Sequence, residues 1–123
     1  MNAVFDTNIL IDYLNGEAAA LEELSRYRSR FISVITHIEV LVGAVNRKEE
    51  IMIRSFLASF ELKQLTANIA ERVIQIRKEH RLKIPDAIVY ATAQEEGCIL
   101  VTRNTKDLKE NWPDVRVPYE LKA

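Results

Sequence analysis

Short apolar runs and longer stretches of helical period alternate along this chain. Residues 2–5 are short and mostly apolar, and they meet Asp6-Thr7-Asn8, types that favour turns and helix caps. Ile9, Leu10, Tyr13 and Leu14 then take up helical spacing, so the opening predicts strand, turn and a helix closed by Gly16. Residues 18–27, rich in Ala, Leu and Glu, predict a second helix, and 31–34 a second strand. The stretch 36–45 is apolar almost all round, as a buried helix would be, and 48–60 carries Ile51, Ile53, Phe56, Leu57 and Phe60 in a further helical pattern. A short strand is expected within 61–65. Residues 68–81 place Ile69, Val73 and Ile76 on one side of a helix, with Glu71, Arg72, Arg77 and Lys78 elsewhere. Pro85 interrupts that helix and suits the first turn of the next, which runs through Ala87, Ile88, Ala91 and Ala93 to Gly97. Residues 98–102 read as the clearest strand. Asn104 is placed to cap a short helix over 105–110, and 115–117 predicts an edge strand beside Pro118.

Strands alternating with helices predict an α/β fold, a mostly parallel sheet covered by helices on both faces. With 123 residues, 48% of them hydrophobic, and no linker, repeat or low-complexity tract, a single domain over residues 1–123 is expected. Ligands in open sheets of this class bind beyond the carboxyl ends of the strands. Asp6 and the turn Thr102-Arg103-Asn104 both follow such ends. Met1 leads into Asn2-Ala3-Val4 without a basic start, and no apolar run approaches the roughly 20 residues that span a bilayer. A cytoplasmic protein without a membrane segment is therefore expected. The lone Cys98 can form neither an internal disulfide nor a Cys-rich zinc site, and its apolar surroundings predict a buried structural role. A formal net charge of −1 argues against a generally basic nucleic-acid surface. With four carboxylates withdrawn into a metal site, however, the remainder would be net positive, so charge leaves RNA open.

Four acids bear on chemistry. Asp6 could simply cap the helix that follows it. Glu39 lies inside Ile38-Glu39-Val40-Leu41, and a carboxylate buried there must be neutralised, paired with a cation such as Arg47 or Lys48, or bound to metal. Asp86 sits at a helix start, where the dipole favours an anion. Asp107 follows Asn104 by three residues, approximating a capping box. Taken together they say more: several carboxylates in one crevice raise each other's pKa unless a divalent cation holds them ionised. An all-oxygen site suits magnesium or manganese, and such an ion assists hydrolysis of phosphodiesters. His37 and His80 lack the spacings of zinc or nucleophilic sites, so surface or packing roles are expected. Arg103 is the expected RNA phosphate contact, in preference to Lys106, Lys109 or the run Arg26, Arg28 and Arg30.

Val4-Phe5-Asp6-Thr7-Asn8-Ile9-Leu10-Ile11-Asp12 resembles the opening motif of PIN domains, especially the VapC-type toxins of bacteria and archaea. Ser33-Val34-Ile35-Thr36-His37-Ile38-Glu39-Val40 resembles the second acidic motif of that family. Residues 84–93, around Ile84-Pro85-Asp86-Ala87, resemble the third, and residues 100–108, with Thr102-Arg103-Asn104 and Asp107, the fourth. The resemblance implies a PIN-like three-layer sandwich and a Mg2+-dependent endoribonuclease, Mn2+ being an alternative ion. It makes Asp6, Glu39 and Asp86 the metal-binding acids, with Thr7, Asn8 and Thr102 as polar support. Many members carry an aspartate directly after Thr-Arg, where this chain has Asn104. The fourth position then falls to Asp107 with Asn104 assisting, to an Asn104 oxygen, or to no fourth acid. A VapB-type antitoxin as partner, RNA as substrate and a homodimer are implied in the same way.

Two rivals belong to other classes. A PIN-like module could bind RNA or protein without cutting, and Asn104 is the residue that keeps this open. A phosphatase or nucleotide binder is the other, but the chain has Asp6-Thr7-Asn8 rather than Asp-x-Asp and only three glycines, with no Gly-rich phosphate loop.

Overall fold

The computed structural model describes residues 1–121 and contains a five-stranded sheet of order β3-β2-β1-β4-β5, every neighbouring pair parallel. The strands are β1 (Asn2–Phe5), β2 (Ser29–Ser33), β3 (Glu61–Lys63), β4 (Ile99–Val101) and β5 (Val115–Arg116). Between them run α1 (Thr7–Leu14), α2 (Ala18–Ser25), α3 (Val34–Val42), α4 (Arg47–Leu57), α5 (Ala67–His80) and α6 (Ile84–Glu96). The chain builds outward from β1 to β2 and β3, then returns to place β4 on the other side of β1. The order therefore reverses between β1 and β4, where the carboxyl ends of two adjacent strands leave a crevice.

Alternation along each strand divides the core in two. Val4, Phe31, Leu100 and Val115 face α5 and α6, through Ile69, Ile76, Ala87, Val89 and Ala91. Ala3, Phe5, Ile32 and Val101 face α1, α2 and α4, through Ile9, Leu10, Leu24, Ile53 and Leu57. The three-layer α/β/α expectation is met. Phe5 is fully buried, with edge-on contacts to Tyr27 and Phe60 at centroid distances of 5.4 and 6.1 Å. The helix α6 lies nearest the centre, buried from Ala87 through Ala93, which explains its small side chains. Pro85 occupies its first turn, and Gly97 ends it at φ 65°, where the Gly97 and Cys98 N–H groups bond the Gln94 and Ala93 carbonyls.

Four expectations are corrected. The helix predicted over 36–45 starts earlier, at Val34, because Ser33 rather than a later residue caps it, its hydroxyl accepting the Ile35 N–H at 3.1 Å. Nor is it buried all round: Ile38 is 50% exposed and Val42 78%, because α3 stands at the rim with one side turned outward. The helix predicted over 105–110 is a set of turns. Asn104 does accept the Asp107 N–H at 3.3 Å and the Leu108 N–H on its carbonyl at 3.2 Å, but one turn with a single buried apolar residue, Leu108, does not repay helix nucleation. Cys98 is half-buried rather than enclosed.

Candidate active site

The crevice between β1 and β4 collects residues from four separate segments. Asp6 leaves β1 in extended conformation and caps α1, its Oδ1 accepting the Thr7 N–H at 2.8 Å. Its other oxygen accepts the Thr102 hydroxyl at 2.8 Å and the Asn8 amide at 3.3 Å. Capping and a role in the crevice are therefore compatible, since one oxygen serves the helix while the other faces the turn after β4. Thr102, fully buried, also accepts the Asn104 N–H at 3.0 Å, so its hydroxyl proton is committed to Asp6.

Glu39 is brought in by α3. It is exposed, which corrects the expectation of a carboxylate enclosed in apolar surroundings; the apolar residues on either side of it in sequence point elsewhere. The Thr7 hydroxyl lies 2.6 Å from Glu39 Oε1 and 3.1 Å from the Thr36 hydroxyl. Because Thr7 has one hydroxyl proton, donation to Glu39 leaves Thr7 to accept from Thr36. Glu39, an acceptor only, thus sets the direction of a Thr36–Thr7–Glu39 chain, in which the fully buried Thr36 is a member that sequence reading did not assign.

Asp86 opens α6 and is half-buried; Asp107 sits in the turns after β4, its carboxylate 3.3 Å from the Asn104 amide. Electrostatics tie the four acids together. Burial pushes the Asp6 carboxyl above the usual aspartate range; hydrogen bonds from Thr102 and Thr7 pull it back, and the charges of Asp86 and Glu39 add to the rise. Burial also raises Asp86, helped by the charges of Asp107 and Glu39 and opposed by Lys83. Among the described residues no three acidic, histidine or cysteine side chains are grouped so as to hold an ion by themselves. Magnesium keeps several of its waters and takes one or two protein carboxylates, so this oxygen-only, mutually repelling set fits a hydrated ion better than an enclosing cage.

Arg103 is engaged within the chain: its Nε and Nη2 bond Asp12 at 2.7 and 2.9 Å, so one edge of the guanidinium is turned to a buried carboxylate. Asp12 and Tyr119, whose hydroxyl also bonds Asp12 at 2.8 Å, were missed in the sequence. The spacing of Asn8 and Asp12, four apart on one helix face, was the available signal. His37 and His80 stand outside this network, and His80 packs on Trp112 at 4.3 Å. No described helix is long and apolar enough to cross a membrane.

Comparison with known proteins agrees with this geometry. The family model for the PIN domain matches residues 3–111. A chain of a toxin–antitoxin complex from Klebsiella pneumoniae is 44% identical, with 97% of this chain and 99% of that one covered and a TM-score of 0.91. FitAcB from Neisseria gonorrhoeae, at 21% identity, covers 97% and 99% with a TM-score of 0.81. DNA-bound VapBC from Salmonella typhimurium, at 22% identity, covers 94% and 96% with a TM-score of 0.78. These last two speak for the fold alone. No curated protein matches the chain. The match over most of the chain and the shared architecture agree with the four motifs: the chain belongs to the PIN-domain family.

Proposed function

We propose that this PIN-domain protein is a magnesium-dependent endoribonuclease acting as the toxin of a VapBC-type pair. The observation that supports the reading is that Asp6 and Asp86 each feel the charge of Glu39, that Asp6 feels Asp86 and that Asp86 feels Asp107, four acids from four segments near the strand ends where the sheet order reverses. Asp6, Asp86 and Glu39, with Asp107 and the Asn104 oxygen beside them, would hold a hydrated ion, one or two of the carboxylates directly and the others through its waters. The chemistry that magnesium or manganese would supply there is a more acidic water and compensation of charge on the phosphate.

The chain's own residues do the rest. Thr102, Asn8 and the Thr7 N–H fix both oxygens of Asp6, so its carboxylate meets the substrate already oriented. Thr7, hydrogen-bonded to Thr36, holds Glu39 although that side chain is exposed. Lys83, close enough to lower Asp86, is a cation at the crevice mouth to which an RNA phosphate can approach. A VapB-type antitoxin as partner, homodimerisation and a cytoplasmic setting complete the reading. Support for the partner and the dimer is the Klebsiella relative's description as a toxin–antitoxin complex and the apolar surface of α3 and α4, where Ile38, Val42, Ile51 and Met52 are all at least half exposed.

The toxin role is tested by inducing the protein in a bacterial host and following incorporation of labelled amino acids. Wild type is expected to arrest incorporation and Asp86→Asn to leave it running at equal protein level. Equal incorporation with and without the induced wild type would overturn the role.

A further inference from the structure

Residue 103 is gripped twice by one face of α1. Asn8 and Asp12 stand a helical turn apart on that face. Asn8 Oδ1 accepts the Arg103 backbone N–H at 3.0 Å, while Asp12 takes the guanidinium through bonds of 2.7 and 2.9 Å. Tyr119 supplies a third donor to the same carboxylate, 2.8 Å from its Oδ2. Asp12 is only 4% exposed. For stability alone, well-packed apolar side chains often serve as well as a carboxylate buried against a guanidinium. What apolar packing does not supply is angular definition: a guanidinium fork on a carboxylate fixes orientation as well as distance.

The object being oriented is the turn 102–104. Thr102 donates to Asp6, and Asn8, which holds Arg103 by its oxygen, reaches Asp6 and Thr102 with its amide at 3.3 Å each. The path from Tyr119 to the crevice is thus continuous, through Asp12, Arg103, Asn8 and Asp6. Tyr119 lies beyond residue 111, where the family match ends, so the C-terminal segment reaches the site by this route.

We propose that Asp12, Arg103 and Tyr119 form a positioning clamp that seats the 102–104 turn on α1 and thereby orients Asp6. For its catalytic consequence the clamp rests on the nuclease reading of the Asp6 site. Arg103 acts through the turn and touches no substrate; Asp12 and Tyr119 act through Arg103.

Asp12→Asn, Arg103→Lys and Tyr119→Phe test this by steady-state cleavage of an RNA that the wild type cuts, at several salt concentrations, together with hydrogen exchange of the Arg103 amide. The clamp predicts kcat lower by about tenfold in Asp12→Asn and Arg103→Lys and by less in Tyr119→Phe, with KM within about twofold of wild type. It also predicts faster Arg103 amide exchange in all three. Unchanged kcat in folded variants would overturn it. So would an Arg103→Lys variant with intact kcat, raised KM and a shallower salt dependence, the signature of a direct phosphate contact. If Asp12→Asn does not fold, Tyr119→Phe carries the test, because it removes one hydroxyl and keeps the ring. If the wild type cuts no RNA, the nuclease reading fails by itself, and amide exchange decides the clamp: retained protection in all the variants refutes it, and lost protection supports it.

Discussion

At the scale of single residues, the acids of the crevice differ in what revealed them. Asp6 was legible because a strand end, a cap position and a carboxylate coincide there. Glu39 stood out as a carboxylate in an apolar run but was misplaced, since an apolar run in sequence does not tell whether a helix has all its sides covered. The tie of Asp12 to Arg103 and Tyr119 was not legible: the partners lie 91 and 107 positions away in the chain, and the local signal, the spacing of Asn8 and Asp12 on α1, does not name them. Asp86 yields a prediction whose sign follows from linkage. Burial, then the charges of Asp107 and Glu39, raise its folded-state pKa above the ordinary 3.8, although it stands at a helix start that favours anions. A raised carboxyl costs stability where it is ionised, and the cost vanishes as pH falls through the raised value toward the ordinary one. Metal-free Asp86→Asn should therefore melt above wild type near pH 7, by on the order of 2 °C, with the gap closing near pH 4. Added magnesium should raise the wild-type melting temperature and leave the variant's unchanged. Calorimetric scans in EDTA and in magnesium check both; a variant less stable than wild type in EDTA near pH 7 would contradict the assigned repulsion.

At the scale of elements, the boundaries that carry stop and start signals were readable, and those set by packing were not. Pro85 and Gly97 bracket α6 as expected. The turns over 105–110 were mistaken for a helix because a capping pattern was present without the buried face that would make it pay. Two helix ends give opposite predictions. Gly97 and Arg81 both adopt left-handed backbone, at φ 65° and φ 57°, but only one is glycine. No atom lies within 4 Å of a Cβ built on Gly97, so Gly97→Ala should lose only the backbone term, about 1 kcal/mol. Arg81→Gly should gain about 0.5 kcal/mol, the relief of the Cβ clash less the added freedom of the unfolded chain. Urea unfolding at constant m-value measures both shifts. Two shifts of the same sign would show that side-chain contacts, not backbone, govern these ends.

At the scale of the whole molecule, alternation of strands and helices was enough to predict a parallel, helix-covered sheet, whereas the ties that close the C-terminal segment onto it were hidden by distance along the chain. Arg116 in β5 bonds Glu23 of α2 through Nε and Nη2 at 2.7 and 3.0 Å, and Tyr27 adds its hydroxyl at 2.8 Å. Burial alone would raise Glu23, but Arg116 and Tyr27, with the charge of Arg26, outweigh it and hold the carboxyl below its ordinary 4.5. A depressed carboxyl stabilises the fold above its ordinary pKa, and that contribution is lost as pH falls through the folded-state value. Glu23→Gln should cost about 1–3 kcal/mol near pH 7 and progressively less below about pH 4.5, which acid titration of unfolding free energy will read. The same architecture brings Asp6, Glu39 and Asp86 within electrostatic reach of one another, and Asp107 within reach of Asp86, and the action on RNA proposed for them is the central claim. The direct test is incubation of the purified protein with a mixed pool of single-stranded and structured RNA, in magnesium, in EDTA, and with Asp6→Asn in parallel. The account predicts wild-type cleavage in magnesium that EDTA abolishes and that Asp6→Asn lowers by on the order of a hundredfold or more while remaining folded. Cleavage that persists in EDTA, or undiminished in Asp6→Asn, would contradict it, as would a well-folded, partner-free protein that leaves every RNA intact.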